Sequence, residues 1–464
     1  MAIRAIRATA RLMTVAAAPA SLRILTIIAV VAARTAVAEQ LPAAAAGGEI
    51  ISSSLTPPVE AQQLGIWTGI GETDNVFLTR PPITSQTLGL LGLDFDVQHQ
   101  GKQFQLETTG DFEYTDYMQR AFDDHLFGRF DGRAALDLIP GVWKWVVEDY
   151  FGQAQVDPFT PLTPYNLEYV NVFSTGPDFK FRLGSNGFVT ASLRESLTHF
   201  QTSPLSGNRE LASLAVGEQL SAQSSISLNV DEQRLRFEEQ TPVNEDYDRR
   251  DAYARYELRG ARTDIDFDLG VTQTNQSGTW VSAPLALLSL RRLLAPSLTL
   301  TLSGGHQATD ASDSFRNLKT GAAGGIVVAV PADTAETYLN NFGLADLRFQ
   351  SRRTTIALSA RAERDSYPQS RAFDHTTTAV EAYMERRLTP VLALQLSGSW
   401  QHIRYDSAAY YETDWPIGAA LVLTPAKHLE FKLRADRTRR DVVGPGIPYI
   451  ENRILLSAEY RPWQ

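Results

Sequence analysis

The stretch HLEFKLRADR, His428 to Arg437, decides the fold. Leu429, Phe431, Leu433 and Ala435 alternate with Glu430, Lys432, Arg434 and Asp436, the period-two rhythm of side chains on a β-strand. Such a strand has an oily face and an ionic face, which suits a soluble sandwich or a membrane barrel. If Lys432 and Arg434 met hydrocarbon near its midplane they would cost roughly 2–4 kcal/mol each. That is a large share of a whole stability of about 5–15 kcal/mol. In a membrane barrel both must therefore point inward, leaving the apolar set to the lipid.

The alternation recurs through the chain, in LDFDVQ (Leu93 to Gln98), FQLETTGDFEY (Phe104 to Tyr114), FKFRL (Phe179 to Leu183), AYARYELR (Ala252 to Arg259), DIDFDLG (Asp264 to Gly270), LTLTLS (Leu298 to Ser303), IALSARAER (Ile356 to Arg364) and LALQLS (Leu392 to Ser397). Helical periodicity is nearly absent. Short Gly-, Pro-, Ser- or Asn-based turns such as QHQGK, LIPGV, GSNG, RGAR and LTPAK take turns with longer polar connections such as DPFTPLTPYN and DVVGPGIPY. Short turns on one side and long loops on the other mark an outer-membrane barrel, and open sheets beyond ~10 strands usually close or split. Aromatic residues near strand ends (Trp143, Trp145, Trp280, Trp400, Tyr410, Tyr411 and Trp415) fit girdles at the two lipid interfaces. The expected fold is an all-β, antiparallel up-and-down transmembrane barrel of about 20 strands, within a range of about 16 to 20.

The first residues read as an exported leader. Arg4, Arg7, Arg11 and Arg23 precede an apolar run from Ile24 to Ala33 and an Ala36-Val37-Ala38 cleavage site, and the run is shorter than the ~20 residues of a spanning helix. Residues 1–38 are thus expected to be a cleaved signal peptide, residues 39–62 a flexible periplasmic lead-in, and residues 63–464 the barrel. The 464-residue chain carries a formal charge of −10. Loss of the leader's five arginines makes it more acidic still, which disfavours nucleic acid as a partner. With no cysteine, disulfides and thiolate metal sites are excluded.

Parity assigns the interior residues. On the inward face fall Asp94, Asp96, Glu107, Asp111, Glu113, Lys180, Arg182, Arg255, Glu257, Arg259, Asp264, Asp266, Asp268, Arg361, Glu363, Glu430, Lys432, Arg434 and Asp436. So much charge on one face implies water inside. The 24-residue lead-in is too small to be a folded plug of the kind that fills 22-stranded transporters, so an open or loop-gated interior is expected. The candidate gate is the longest connection, Thr309 to Glu336, with Gly321, Gly324 and Gly325 before the apolar run Ile326 to Val330; an ordinary surface loop is the competing reading. Tyr253 is a candidate face for stacking a sugar ring. The seven histidines (His99, His125, His199, His306, His375, His402 and His428) are scattered without metal spacing, and the triad Asp264, Asp266 and Asp268 reads as a stripe of wall before it reads as a glycosidase pair. No enzyme activity and no cofactor is expected.

GETDNVFLT (Gly71 to Thr79) and NVFSTGPDFKFRLG (Asn171 to Gly184) resemble stretches of an outer-membrane β-barrel family associated with exopolysaccharide biosynthesis and exosortase (PEP-CTERM) loci in Gram-negative bacteria. Asp74-Asn75-Val76-Phe77 is similar to the core of that family's opening strand. The resemblance implies a place in the outer membrane and passage or assembly of an extracellular polysaccharide, with no catalytic residues to carry over. A departure is the C-terminus, where Trp463 falls out of phase with Ile454, Leu456, Ala458 and Tyr460. The leading expectation is a passive outer-membrane channel for an exopolysaccharide or other polar solute. The alternative is a non-transporting scaffold that docks partners of an export system. Expected partners are outer-membrane lipid, polysaccharide and export-system proteins.

Overall fold

The computed structural model describes residues 61–240, 245–276, 278–310, 337–368, 370–406 and 410–463. The expected leader, the lead-in up to residue 60 and the candidate gate beyond Asp310 lie outside the described residues.

The strands are β1 (Ala61–Thr73), β2 (Gln86–Gln100), β3 (Phe104–Tyr117), β4 (His125–Ile139), β5 (Trp143–Gln155), β6 (Leu167–Leu183), β7 (Gly187–Phe200), β8 (Gly207–Gln219), β9 (Ser224–Phe237) and β10 (Tyr247–Arg259). They continue as β11 (Thr263–Gln276), β12 (Thr279–Ala295), β13 (Leu298–Thr309), β14 (Tyr338–Gln350), β15 (Thr354–Ser366), β16 (His375–Arg387), β17 (Leu392–Tyr405), β18 (Tyr410–Ala426), β19 (Leu429–Val443) and β20 (Tyr449–Trp463). Each pairs antiparallel with the next, and β1 pairs with β20 as well as β2, so the 20-stranded sheet closes on itself. Closure removes the edge strands and satisfies the backbone without water, which is what lets a sheet cross a membrane. Strand lengths of 12 to 17 residues exceed the ~9–11 that a tilted strand needs to span hydrocarbon.

The expected turns join the strands where the Gly, Pro and Asn residues sit. Gly141 and Gly184 take positive φ of 72° and 66° in the β4–β5 and β6–β7 turns, a region costly for any residue with a Cβ. The alternation of short and long connections fails twice, at β17–β18, where residues 406–409 are no longer than the turns of the short side, and at β11–β12. Between β11 and β12, on the long-loop side, the chain turns back after Gln276 and resumes at Thr279, with Gly278 at φ 79°.

The two faces separate as the opening stretch requires. On β19, Phe431, Leu433 and Ala435 are exposed while Glu430, Lys432, Arg434 and Asp436 are half-buried. On β9, Ile226, Leu228 and Val230 are exposed, Leu228 by 70%. So many large exposed aliphatic side chains on every side of a soluble protein would be an aggregation hazard; against lipid they are the stabilising surface. Trp145, Trp280, Tyr411 and Trp415 are exposed with them. Tyr410, expected in a girdle, is instead fully buried on the inner face, because it lies opposite Tyr405, whose own register partner His375 pairs with Asp365.

Candidate functional site: the inner wall and its mouth

Register places every sequence-predicted wall residue on the face opposite the exposed aliphatic one, but their surroundings differ. On β10 and β11, Arg255 lies across from Asp268, Glu257 from Asp266 and Arg259 from Asp264. Arg255 donates through Nε and Nη2 to the two carboxylate oxygens of Asp268 at 2.7 Å each, a bidentate pair. Arg259 reaches Asp266 at 2.5 Å and Glu257 at 3.6 Å. Farther round, Arg361 pairs with Glu363, Arg434 with Asp436 at 2.8 Å, and Glu430 with Arg461 at 3.5 Å.

On β2 and β3 the register brings acid against acid or against a neutral group. Asp94 lies opposite Asp111, Asp96 opposite Thr109 and Glu107 opposite Gln98. Among the described residues none of Asp94, Asp96, Glu107, Asp111 and Glu113 forms an ion pair, Asp96 accepting only from Gln98 at 3.5 Å and Glu113 from Thr115 at 3.1 Å. On the other side of β3 the register sets Arg133 across from Glu107 and Arg129 across from Asp111, but the ion pairs these bases make are with other acids, Arg133 with Glu148 at 3.5 Å and Arg129 with Asp131 at 4.0 Å. Glu107 and Asp111 are nonetheless exposed, so open space lies inside the wall at this point. The adjoining β1 has Gly65, Trp67, Gly69 and Gly71 on that face, and a Cβ at Gly65 would collide with both Asp94 and Glu459; the absent side chain at Gly65 is what lets carboxylates from β2 and β20 lean toward each other.

Lys180 stands 5.8 Å over the Phe188 ring, and Arg182 is exposed near the β6–β7 turn. Lys432 lies across from Val422 and Ser457. Tyr253 does not offer the expected stacking face. It is buried, its hydroxyl donates to Asp231 at 3.1 Å, and Arg255 covers its ring at 5.4 Å. Sequence reading missed other wall residues in the same phase, among them Arg129, Asp131 and Arg133 on β4 and Arg453, Glu459 and Arg461 on β20; their alternation in FGRFDGRAALD and ENRILLSAEYR is the signal that identifies them.

At the long-loop end, extracellular by the outer-membrane rule, the interior is packed. Tyr338, Tyr367, His375, Tyr405 and Tyr410 form a chain of ring contacts at 4.7 to 6.4 Å along β14 to β18. A second cluster joins Ala154, Val170, Val172, Phe200, Leu205, Leu235, Phe237 and Tyr247. A third joins Val76, Leu88, Leu90, Tyr117 and Phe122. Polar clamps hold the loops down. Glu168, 1% exposed, accepts from the backbone and hydroxyls of Thr202 and Ser203. Asp310, just beyond β13, receives Arg209 of β8 at 2.6 Å and the Tyr247 hydroxyl of β10. Burial alone would favour the protonated form of Asp310. Arg209, the Tyr247 hydrogen bond and nearby Arg249 outweigh it, holding the carboxyl below the usual carboxylate range.

Among the described residues no group of three or more His, Asp or Glu is placed to hold a metal ion. A closed barrel with an oily outer face and an ionic inner one defines an outer-membrane β-barrel. No family model matches the chain, and no curated protein does. Solved structures of similar outline include the ferric enterobactin receptor of Pseudomonas aeruginosa (8% identity, 86% of this chain and 80% of that one, TM-score 0.44). They also include the siderophore receptor PirA of P. aeruginosa (10%, 87% and 81%, 0.41) and the FrpB iron transporter of Neisseria meningitidis (8%, 86% and 81%, 0.40). At such identities and TM-scores the likeness brings neither ligand nor mechanism to this chain.

The resemblance to exopolysaccharide-associated barrels is corrected by these comparisons: no family model supports it, and the solved structures of similar outline include iron, copper and siderophore proteins. The residues that carried it have a local structural account. Asp74 accepts from the backbone and side chain of Asn452 on β20, at 2.8 and 2.6 Å. Asn75, fully buried, donates to Thr79 O at 2.8 Å and Ile450 O at 2.9 Å and accepts from the Thr79 amide. DNVF is thus a clamp that closes the seam between the first and last strands.

Proposed function

We propose that the barrel is a passive, water-filled passage for small polar solutes and that it favours cations. The observation that supports this is the unpaired carboxylate wall of β2 and β3. Neutralised ion pairs elsewhere on the inner face add rigidity but little net field. Five carboxylates that make no ion pair, on two strands whose own inner face carries no base, concentrate cations in an interior with low-dielectric walls. A polysaccharide is the weaker reading of the cargo, since Tyr253 is covered and the aromatic chain at the mouth is buried within the packing. The outward aliphatic surface is read as the lipid contact, and residues 1–38 as the leader that delivers the chain to the periplasm.

Reconstitution in planar bilayers under a KCl gradient tests this. Currents should reverse at a potential displaced toward the cation equilibrium potential, and more so at low salt, where screening is weaker. Reversal on the anion side would overturn the cation preference; absence of current in every variant would overturn the passage itself.

A further inference from the structure

The connection between β5 and β6, residues 156–166, starts on one side of the barrel and ends its reach on another. Phe159 packs against Tyr405 of β17, ring centroids 5.0 Å apart, and edge-on against Tyr410 of β18 at 4.8 Å. Along the shorter way round the sheet, β4, β3, β2, β1, β20 and β19 lie between β5 and β18. The connection therefore crosses the interior to reach those tyrosines.

Each partner in this contact is rigid by itself. Within the connection, Asp157 accepts from the Phe159 amide at 2.9 Å and the Thr160 hydroxyl at 2.6 Å. Asn166 donates to the carbonyls of Asp157 and Thr160, both at 2.9 Å, and accepts from the Asp157 amide at 2.8 Å. The Val156 amide bonds to Asn166 O at 3.1 Å, closing the base. On the far wall, Tyr410 donates to Glu412 at 2.5 Å and accepts from Arg440 at 3.1 Å, and Arg440 is paired with Glu412. Tyr405 is braced by Tyr410 and by His375.

Between two self-fastened bodies, the contact is made through a phenyl ring. Such a contact can part and re-form without breaking a backbone ladder bond, whereas a strand contact could not. We propose that this connection is the gate of the passage, a strap latched closed by Phe159 in the Tyr405–Tyr410 seat and opened by withdrawal of that ring. The inference rests on the barrel being a passage, and it places a gate in the β5–β6 connection, separate from the Thr309–Glu336 one, which beyond Asp310 lies outside the described residues.

The absence of native cysteine makes the test clean. In the full-length protein, Phe159→Cys and Tyr405→Cys are joined by a short, cleavable bifunctional thiol reagent, and bilayer currents are recorded before and after cleavage on one folded sample. Cleavage should release current from a tethered, closed state, and Phe159→Ala should match the cleaved state and raise the open fraction about fivefold or more over wild type, the factor expected from losing two ring contacts. Equal currents before and after cleavage would overturn the gate and leave the passage standing. If neither sample nor Phe159→Ala carries current, the passage fails and the gate with it. Should Phe159→Ala not fold, as judged by heat-modifiable mobility, the linker comparison decides alone.

Discussion

Two stretches of one inner wall, β2–β3 and β10–β11, obey the same parity and end in opposite electrostatic states. On β10–β11 the register sets Arg255 against Asp268 and Arg259 against Asp264, and the acid-against-acid pair between them, Glu257 with Asp266, is bridged by Arg259 at 3.6 and 2.5 Å. On β2–β3 it sets Asp94 against Asp111, an arrangement that costs stability, since like charges directly opposite repel. Parity alone decides which face a side chain takes. Register, together with whether a neighbouring base reaches across, decides whether the charge is spent within the wall or left to act on what passes it. The paired stretch is architecture; the unpaired one costs stability and is the part that can select.

The largest expected effect breaks the paired side. Asp268→Ala leaves Arg255 with its bidentate partner gone in a place where both side chains are nearly covered, 15% and 8% exposed. Loss of one member of such a pair costs roughly 3–5 kcal/mol, read as a lower midpoint in urea unfolding from lipid vesicles. Asp111→Asn relieves repulsion from Asp94 but also withdraws a charge from across Arg129, and with no ion pair broken it should change stability by no more than about 0.5 kcal/mol in either direction. A cost for Asp111→Asn as large as that for Asp268→Ala would erase the distinction between the stretches.

Next comes the premise that both stretches lie on one inward face. Leu269 follows Asp268 in β11 and is 56% exposed on the opposite side. Leu269→Arg should cost roughly 2–4 kcal/mol in vesicles, the depth-dependent penalty for a charge against lipid. A neutral outcome would mean that hydrocarbon does not touch this surface.

A smaller effect separates wall from mouth. Asp310 pairs with Arg209, so its folded carboxyl titrates below its unfolded value. The stabilisation is fully present above the unfolded pKa of about 3.9 and is lost as pH falls from there through the folded value. Between pH 7 and 5 the Asp310 contribution should be flat. Asp310→Asn should cost about 2 kcal/mol at pH 7, and the difference from wild type should shrink below about pH 4. Thermal unfolding of the detergent-folded barrel at stepped pH reads both.

How much of this was legible follows from the range of each signal. The strand pattern is local, because one residue of slip exposes every charge to lipid, and so HLEFKLRADR and its repeats read correctly as barrel wall. The number of strands followed from counting turns, since Pro and Gly mark them. Which acid meets which base depends on the register between neighbours, and nothing in LDFDVQ or FQLETTGDFEY alone announces that Asp94 meets Asp111. Contacts across the interior are further out of reach. Phe159 lies in a polar loop whose Asp157 and Asn166 foretell a tight fold, but not that its ring reaches Tyr405. Tyr410, read as an interfacial aromatic beside Tyr411, shows the same limit: neighbours in sequence, one inside and one out.

The smallest expected effect is the one that bears on selection. Replacing Asp94, Glu107 and Asp111 by Asn, Gln and Asn removes three carboxylates that make no ion pair, although Arg133 and Arg129 stand across from two of them, so the fold should survive. The cation-to-anion permeability ratio should then fall about threefold in dilute KCl, an energy of about 0.6 kcal/mol. That is the size of weak fields in a wide aqueous space rather than of a binding site. Removing charge at Asp266 and Asp268 together with Arg255 and Arg259 takes away as many bases as acids, and should leave the ratio unchanged while altering stability. If both sets shift the ratio equally, the field comes from total wall charge and not from the unpaired stretch. If the triple β2–β3 variant alone shifts it, selection resides in the stretch whose carboxylates make no ion pair.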